Sequence, residues 1–207
     1  MNHSLLPALF LNLLLCACEI YTLGKLRRKR DLGKYYTFLQ NALALPVSLI
    51  FSFCLAAALL FACAIPGWVR GLRYVVTCGL LCAAMIYRIF LSSNNRNRLS
   101  DEDFHGLSAK RADGILHCLA PLLALLSFVF FERQIPLEDP VWTALAPLPS
   151  AVYWLACLIL SAAECWEAPY AFLQTGGGKK QRFAEAPSLL LIPAIFMLIS
   201  FLLWNVR

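Results

Sequence analysis

The sequence predicts an all-α polytopic membrane protein, with six transmembrane helices forming one bundle over residues 1–207. Three observations lead there. Hydrophobic residues make up 60% of the chain and charged residues 14%, with a mean hydropathy of +0.68, whereas a soluble domain carries about 25% charged residues. Six apolar segments fall near 4–23, 37–64, 71–92, 114–132, 145–168 and 187–205. Each is close to the roughly 20 residues that a helix needs to cross a hydrocarbon core about 30 Å thick, and a helix satisfies its own backbone there. The third observation is charge order. Fourteen of the 18 Lys and Arg residues lie in alternate connections: Lys25 to Lys34, Arg88 to Arg111, and Lys179 to Arg182. Only Arg70, Arg73, Arg133 and Arg207 lie elsewhere. The positive-inside rule then makes this a multi-pass integral membrane protein with both termini outside the cytoplasm. Because orientation accounts for the basic loops, nucleic acid is not an expected partner.

Segment 1 has no basic region ahead of it and is followed by positive charge, so it reads as a reversed anchor rather than a cleaved signal. Glu19 reads first as a carboxylate reaching the interface beside the basic loop, and second as one that faces the bundle. Segment 2 opens on Tyr35-Tyr36-Thr37-Phe38-Leu39-Gln40-Asn41, which carries a hydroxyl and two amide side chains into the membrane. Such groups need partners in hydrocarbon. Pro46 removes an N–H from this helix, and Ile65-Pro66-Gly67 ends the segment. Segment 3 closes on Tyr87 and Arg88, and the polar stretch after it, with Asp101 to Asp103 and His105, faces water.

Segment 4 follows Asp113-Gly114, places His117 one turn before Pro121, and closes on Glu132 and Arg133. Pro136 to Pro149 reads as a short interfacial connection. Segment 5 runs past Tyr153 and Trp154 towards Glu164 and Glu167. Gly176-Gly177-Gly178-Lys179-Lys180 lacks the glycine spacing and the Ser or Thr of a phosphate loop, so it reads as a flexible basic linker. Segment 6 offers no chemistry. The nine cysteines lie in or at the ends of apolar segments and read as small buried hydrophobes. Cys78 and Cys82 share a helix face but lack a third ligand, so neither a metal nor a cofactor is expected.

With this topology Glu19, Thr37, Asn41, Tyr87, Arg88, His117, Glu164 and Glu167 share one leaflet. Thr37 lies three residues past Lys34 and His117 four past Asp113, about 4 to 6 Å below their charged boundaries. The opposite half of the bundle is expected to hold almost only aliphatic and aromatic side chains. Alone, Thr37 reads as a helix cap and His117 as a donor to a carbonyl freed near a proline. Together, with Asn41 one turn below Thr37, they read as a site.

Tyr36-Thr37-x-x-x-Asn41, Leu116-His117-x-x-x-Pro121 and Ala168-Pro169-Tyr170-Ala171-Phe172-Leu173 resemble the androgen-induced and ADTRP-like membrane proteins and their six-pass prokaryotic relatives. Animal members of that family are threonine hydrolases that cleave fatty acid esters of hydroxy fatty acids with a threonine and a histidine. The resemblance implies those roles for Thr37 and His117. This chain departs from the prokaryotic pattern at Ser127, where relatives often carry an acidic residue, and at Ala168, where a tyrosine is usual.

The chemistry expected is acyl transfer: His117 takes the proton of the Thr37 hydroxyl, which attacks a lipid ester. Asn41 or Gln40 would donate to the oxyanion, and Glu164 or Glu167 would orient His117. Arg88 either holds a substrate carboxylate or snorkels to the interface. The rival is a transporter or lipid-binding bundle without chemistry, although segments 1–3 and 4–6 show no internal likeness. Either function takes membrane lipids and a hydrophobic small molecule as partners, and homo-oligomerisation is left open.

Overall fold

The computed structural model describes residues 4–28, 39–86, 88, 114–132, 135, 137, 139–149, 151–152, 155–156, 159 and 179–206, with backbone alone over 25–28, 39–42 and 179–192. Among these residues every regular element is helical: α1 (Leu5–Arg28), α2 (Leu39–Phe61), α3 (Gly67–Ile86), α4 (Ile115–Phe131), the short α5 (Val141–Leu145) and α6 (Lys179–Val206). Three of them are long and apolar enough to cross a membrane: α1 over Leu5–Gly24, α2 over Leu43–Phe61 and α3 over Gly67–Ile86. Two shorter apolar stretches follow, all of α4 and Pro193–Val206 within α6.

Most boundaries differ from the sequence expectation for identifiable reasons. α1 continues to Arg28 because Lys, Leu and Arg are good helix formers whether or not lipid surrounds them. α2 ends at Phe61, with Ala62 at a φ of 52° turning the chain before Pro66. α3 starts at Gly67, ahead of the expected 71, and the Pro66 carbonyl accepts from the N–H groups of Val69 and Arg70. α6 begins at Lys179, so Lys179 and Lys180 belong to a helix and not to a flexible linker. Segment 5 lies mostly outside the described residues.

α4 is interrupted at both ends by π turns, Ile115–Leu119 and Ser127–Phe131, flanking the α-helical Ala120–Leu126. Pro121 has no N–H to offer the His117 carbonyl, and the Ala120 N–H reaches back five residues to the Ile115 carbonyl. At the far end the Glu132 N–H donates to the Ser127 carbonyl at 3.0 Å in the same i to i−5 pattern. Such widened turns cluster at functional positions.

Packing partners show that the first four helices alternate in direction. Leu5 and Ala8 of α1 pack with Phe51 and Leu55 of α2 and with Phe131. Further along α1, Leu15 and Cys18 pack with Ala44 and Val47, with Val76 and Leu80, and with Ala120, Leu123 and Ala124. The starts of α2 and α4 therefore share one end of the molecule with the C-terminal ends of α1 and α3.

α3 is the central element, touching α2, α4, α5 and α6. Against it, Tyr74 Oη donates to the Ser200 carbonyl at 2.6 Å and meets Ser200 Oγ at 2.8 Å, while Ser200 Oγ donates to the Thr143 carbonyl at 3.0 Å. Tyr74→Phe should lower the midpoint of thermal unfolding by an amount equivalent to about 0.5–1.5 kcal/mol. An unchanged midpoint in a detergent melt would show that this link between α3 and α6 carries no stability.

Exposure is the inverse of a soluble protein. Phe53, Leu60 and Phe61 are each at least 75% exposed, and Phe10, Phe130 and Phe201 more than 60%, whereas Asn12, Glu19, Arg73, His117, Ser127 and Glu132 are buried. An apolar exterior around a polar interior suits lipid. The cysteines divide. Cys16, Cys18, Cys78 and Cys82 are buried, as expected, but Cys63 and Cys118 are exposed, because a thiol costs little facing either protein or hydrocarbon.

Candidate functional site

Two polar layers lie inside the helices, separated by a mainly apolar one. The first is at the end where α2 and α4 start. His117, 7% exposed, sits in the first π turn of α4, and Glu19, 3% exposed, lies at the same level on the antiparallel α1. The expectation that Glu19 reaches the interface is thereby corrected: the sharper of its two readings holds, and its Oε1 has no hydrogen-bond partner among the described residues. Burial on the α4-facing stripe outweighs the short reach from Glu19 to the basic residues. Thr22, one turn further, turns its hydroxyl back on its own helix and donates to the carbonyls of Cys18 and Glu19 at 3.0 and 2.8 Å.

Around this layer the predicted residues fall as follows. Thr37, Glu164 and Glu167 lie outside the described residues. Gln40 and Asn41 occupy the first turn of α2, where the backbone alone is described. Asn41 stands three residues ahead of Ala44 and His117 three ahead of Ala120, and Ala44 and Ala120 belong to one core cluster, so Asn41 and His117 lie towards the same end of the molecule. Beside His117, Tyr21, Gly114, Ile115, Cys118, Leu119 and Leu122 line an open recess of about 390 Å³. Arg88 is not in that recess. It lines a separate, larger groove with residues of α3, α4 and α6.

The second polar layer lies at the opposite end, in the half expected to be aliphatic and aromatic; that expectation is wrong. Arg73 of α3 and Glu132 at the end of α4 form a buried ion pair. Arg73 Nη2 is 3.2 Å from Glu132 Oε1, and Nε donates to Oε1 and Oε2 at 3.3 and 3.4 Å. Ser127 Oγ donates to the same Oε1 at 2.5 Å. From α1, Asn12 Nδ2 donates to the Ala8 carbonyl at 2.9 Å, to Ser127 Oγ at 3.0 Å and to Glu132 Oε1 at 3.3 Å. The Phe51 ring of α2 lies 5.5 Å from the guanidinium carbon, within range for a cation–π contact. α1, α3 and α4 thus meet at one carboxylate, and α2 adds Phe51 against the guanidinium.

This cluster is electrically balanced but not fully satisfied. Arg73 Nη1 and Asn12 Oδ1, both fully buried, have no hydrogen-bond partner among the described residues. The hydroxyl of Ser127 is committed to Glu132 and accepts from Asn12, so it is not an available nucleophile. The sequence did hold a signal: a lone asparagine in segment 1, an arginine three residues inside the predicted start of segment 3, and a carboxylate at the end of segment 4. Placing those charges at membrane boundaries hid their mutual pairing.

Between the two layers Leu15, Ala44, Val47, Val76, Leu80, Leu123 and Ala124 form a packed apolar slab. Asn12 and Glu19 are seven residues apart on α1, or about 10 Å. Ser48 and Thr77 are buried beside Val47 and Val76, so hydroxyls are present at this level too. Among the described residues no group of three His, Cys, Asp or Glu side chains is placed to hold a metal ion. Comparison with known protein families, with curated proteins and with solved structures finds no match for this chain.

Proposed function

We propose that the chain is a six-span membrane bundle that hydrolyses fatty acyl esters, with Thr37 as nucleophile and His117 as base. The observation that carries this reading is the burial of His117 in a widened turn, at the same end of the molecule as Asn41, with its neighbours Ile115 and Cys118 lining an open apolar recess. Thr37 precedes Asn41 by four residues in the sequence. Helical side chains tilt towards their own N-terminus, which directs the His117 imidazole to that end. An acyl chain entering from the cytoplasmic leaflet would occupy the recess with its ester carbonyl beside Thr37.

His117 takes the hydroxyl proton as Thr37 Oγ1 attacks the carbonyl carbon, and returns it to the leaving alcohol oxygen. Water then cleaves the acyl-threonine, releasing the fatty acid. Asn41 or Gln40 donates to the oxyanion. Glu19, buried at the same level, joins Glu164 and Glu167 as a candidate to orient the imidazole.

The test is covalent labelling of the purified protein in detergent with a fluorophosphonate probe. Wild type should be labelled, Thr37→Ala should not, His117→Ala should be labelled at least about 100-fold more slowly, and Thr37→Ser should remain reactive. Equal labelling of wild type and Thr37→Ala, or no labelling while esters stay intact for hours, sinks the hydrolase. The buried Arg73–Glu132 pair, far from His117, favours a second reading as a lipid or small-molecule carrier, since ionisable groups inside membranes often mark substrate paths. A carrier would redistribute the intact ester between the leaflets of a proteoliposome without forming an adduct.

A further inference from the structure

The groove beside Arg88 shares no residue with the recess next to His117 and plays no part in the proposed chemistry. It measures about 520 Å³, within the range typical of small-molecule sites. Its walls are Leu81, Ala84 and Met85 of α3, Leu125 and Val129 of α4, and Ile199, Leu202, Leu203 and Val206 of α6. Met85, Leu202 and Val206 are each more than 40% exposed, so the groove opens outward where the helices meet lipid. Among the described residues Arg88 is its sole charged wall, just past the end of α3 that shares a side with the starts of α2 and α4. Among the described residues it has no ion-pair partner.

We propose that this groove binds the acyl chain of an acidic phospholipid whose phosphate pairs with Arg88. The aliphatic walls offer dispersion contacts to a methylene chain and no hydrogen bonds, so they select for length and shape and are indifferent to the head group. Discrimination falls to the guanidinium, whose planar fork matches two phosphate oxygens. Its charge is compensated by a lipid with net negative charge, but not by a zwitterionic lipid, which brings its own cation. Occupation also gives α6 a continuous apolar neighbour along a face that α3 and α4 leave open. The site is independent of the hydrolase reading, because none of its residues belongs to that site.

The experiment is native mass spectrometry of the full chain released from mild detergent. The protein is incubated beforehand with phosphatidylglycerol or phosphatidylcholine of identical acyl chains. Wild type should retain one phosphatidylglycerol about tenfold more than phosphatidylcholine, the ratio expected for one charge-assisted contact. Arg88→Gln should level the two, and Arg88→Lys should retain part of the preference. Ala84→Phe, which fills the groove without touching the charge, should reduce both adducts alike. Equal retention of the two lipids by wild type overturns the proposal, as does an unchanged preference in Arg88→Gln or full binding in Ala84→Phe. Arg88 is exposed, so the Gln and Lys variants should elute as wild type on size exclusion and leave the comparison interpretable.

Discussion

Glu132→Ala should destabilise the protein by about 3–5 kcal/mol, among the largest losses expected from any single substitution here. The carboxylate accepts from Arg73, Ser127 and Asn12, which come from three different helices. Without it a buried guanidinium keeps, among the described residues, the Phe51 ring alone, and the Ser127 hydroxyl and Asn12 amide lose their common acceptor. Arg73 is too far inside to reach water by a rotamer change, being 1% exposed. The double variant Arg73→Met/Glu132→Leu should recover most of the loss, because desolvating two charges roughly offsets their attraction. Equilibrium unfolding in mixed micelles, with tryptophan fluorescence as readout, measures all three proteins. Two outcomes count against the pair as a structural clamp: a Glu132→Ala variant as stable as wild type, or a double variant no better than the single.

Gly71→Val should cost about 1–3 kcal/mol and detach α5 from α3. A Cβ built on Gly71 would overlap the indole of Trp142, so no residue but glycine lets the two helices approach this closely. The overlap is with a rigid bicyclic ring, not the tip of a flexible chain, and relief requires α5 to move. Small residues at helix crossings are the usual means of close approach in membranes. Limited proteolysis between residues 133 and 150 should accelerate in Gly71→Val, and Trp142→Ala in the same background should restore the midpoint. If proteolysis does not change and the midpoint holds, the contact between α3 and α5 is not what anchors that connection.

Legibility varied from element to element. Segment 4 was placed to within a residue at each end because Asp113-Gly114 and Glu132-Arg133 bracket a run that only a helix can bury. The start of α3 was placed late, since Arg70 and Arg73 look like boundary charges until the carboxylate that accepts one of them is seen. His117 was singled out as a polar residue inside segment 4, and it is buried there. Glu19 was assigned to the interface because distance along the chain is readable and rotation about a helix axis is not.

The sequence by itself determined that the described residues are helical, that three of their helices are long and apolar enough to cross a membrane, and which polar residues stand near the ends of which segments. Those properties depend on composition and on spacing along one strand of residues. Tertiary structure alone decided that Asn12, Arg73, Ser127 and Glu132 converge, and that Glu19 faces inward with His117. In a soluble helix the apolar stripe marks the buried face. In these helices the face towards lipid and the face towards protein are both apolar, as Phe53 and Phe51 show two residues apart on α2. Hydrophobic periodicity therefore carries no rotational signal, and the contacts between neighbouring helices supply it instead.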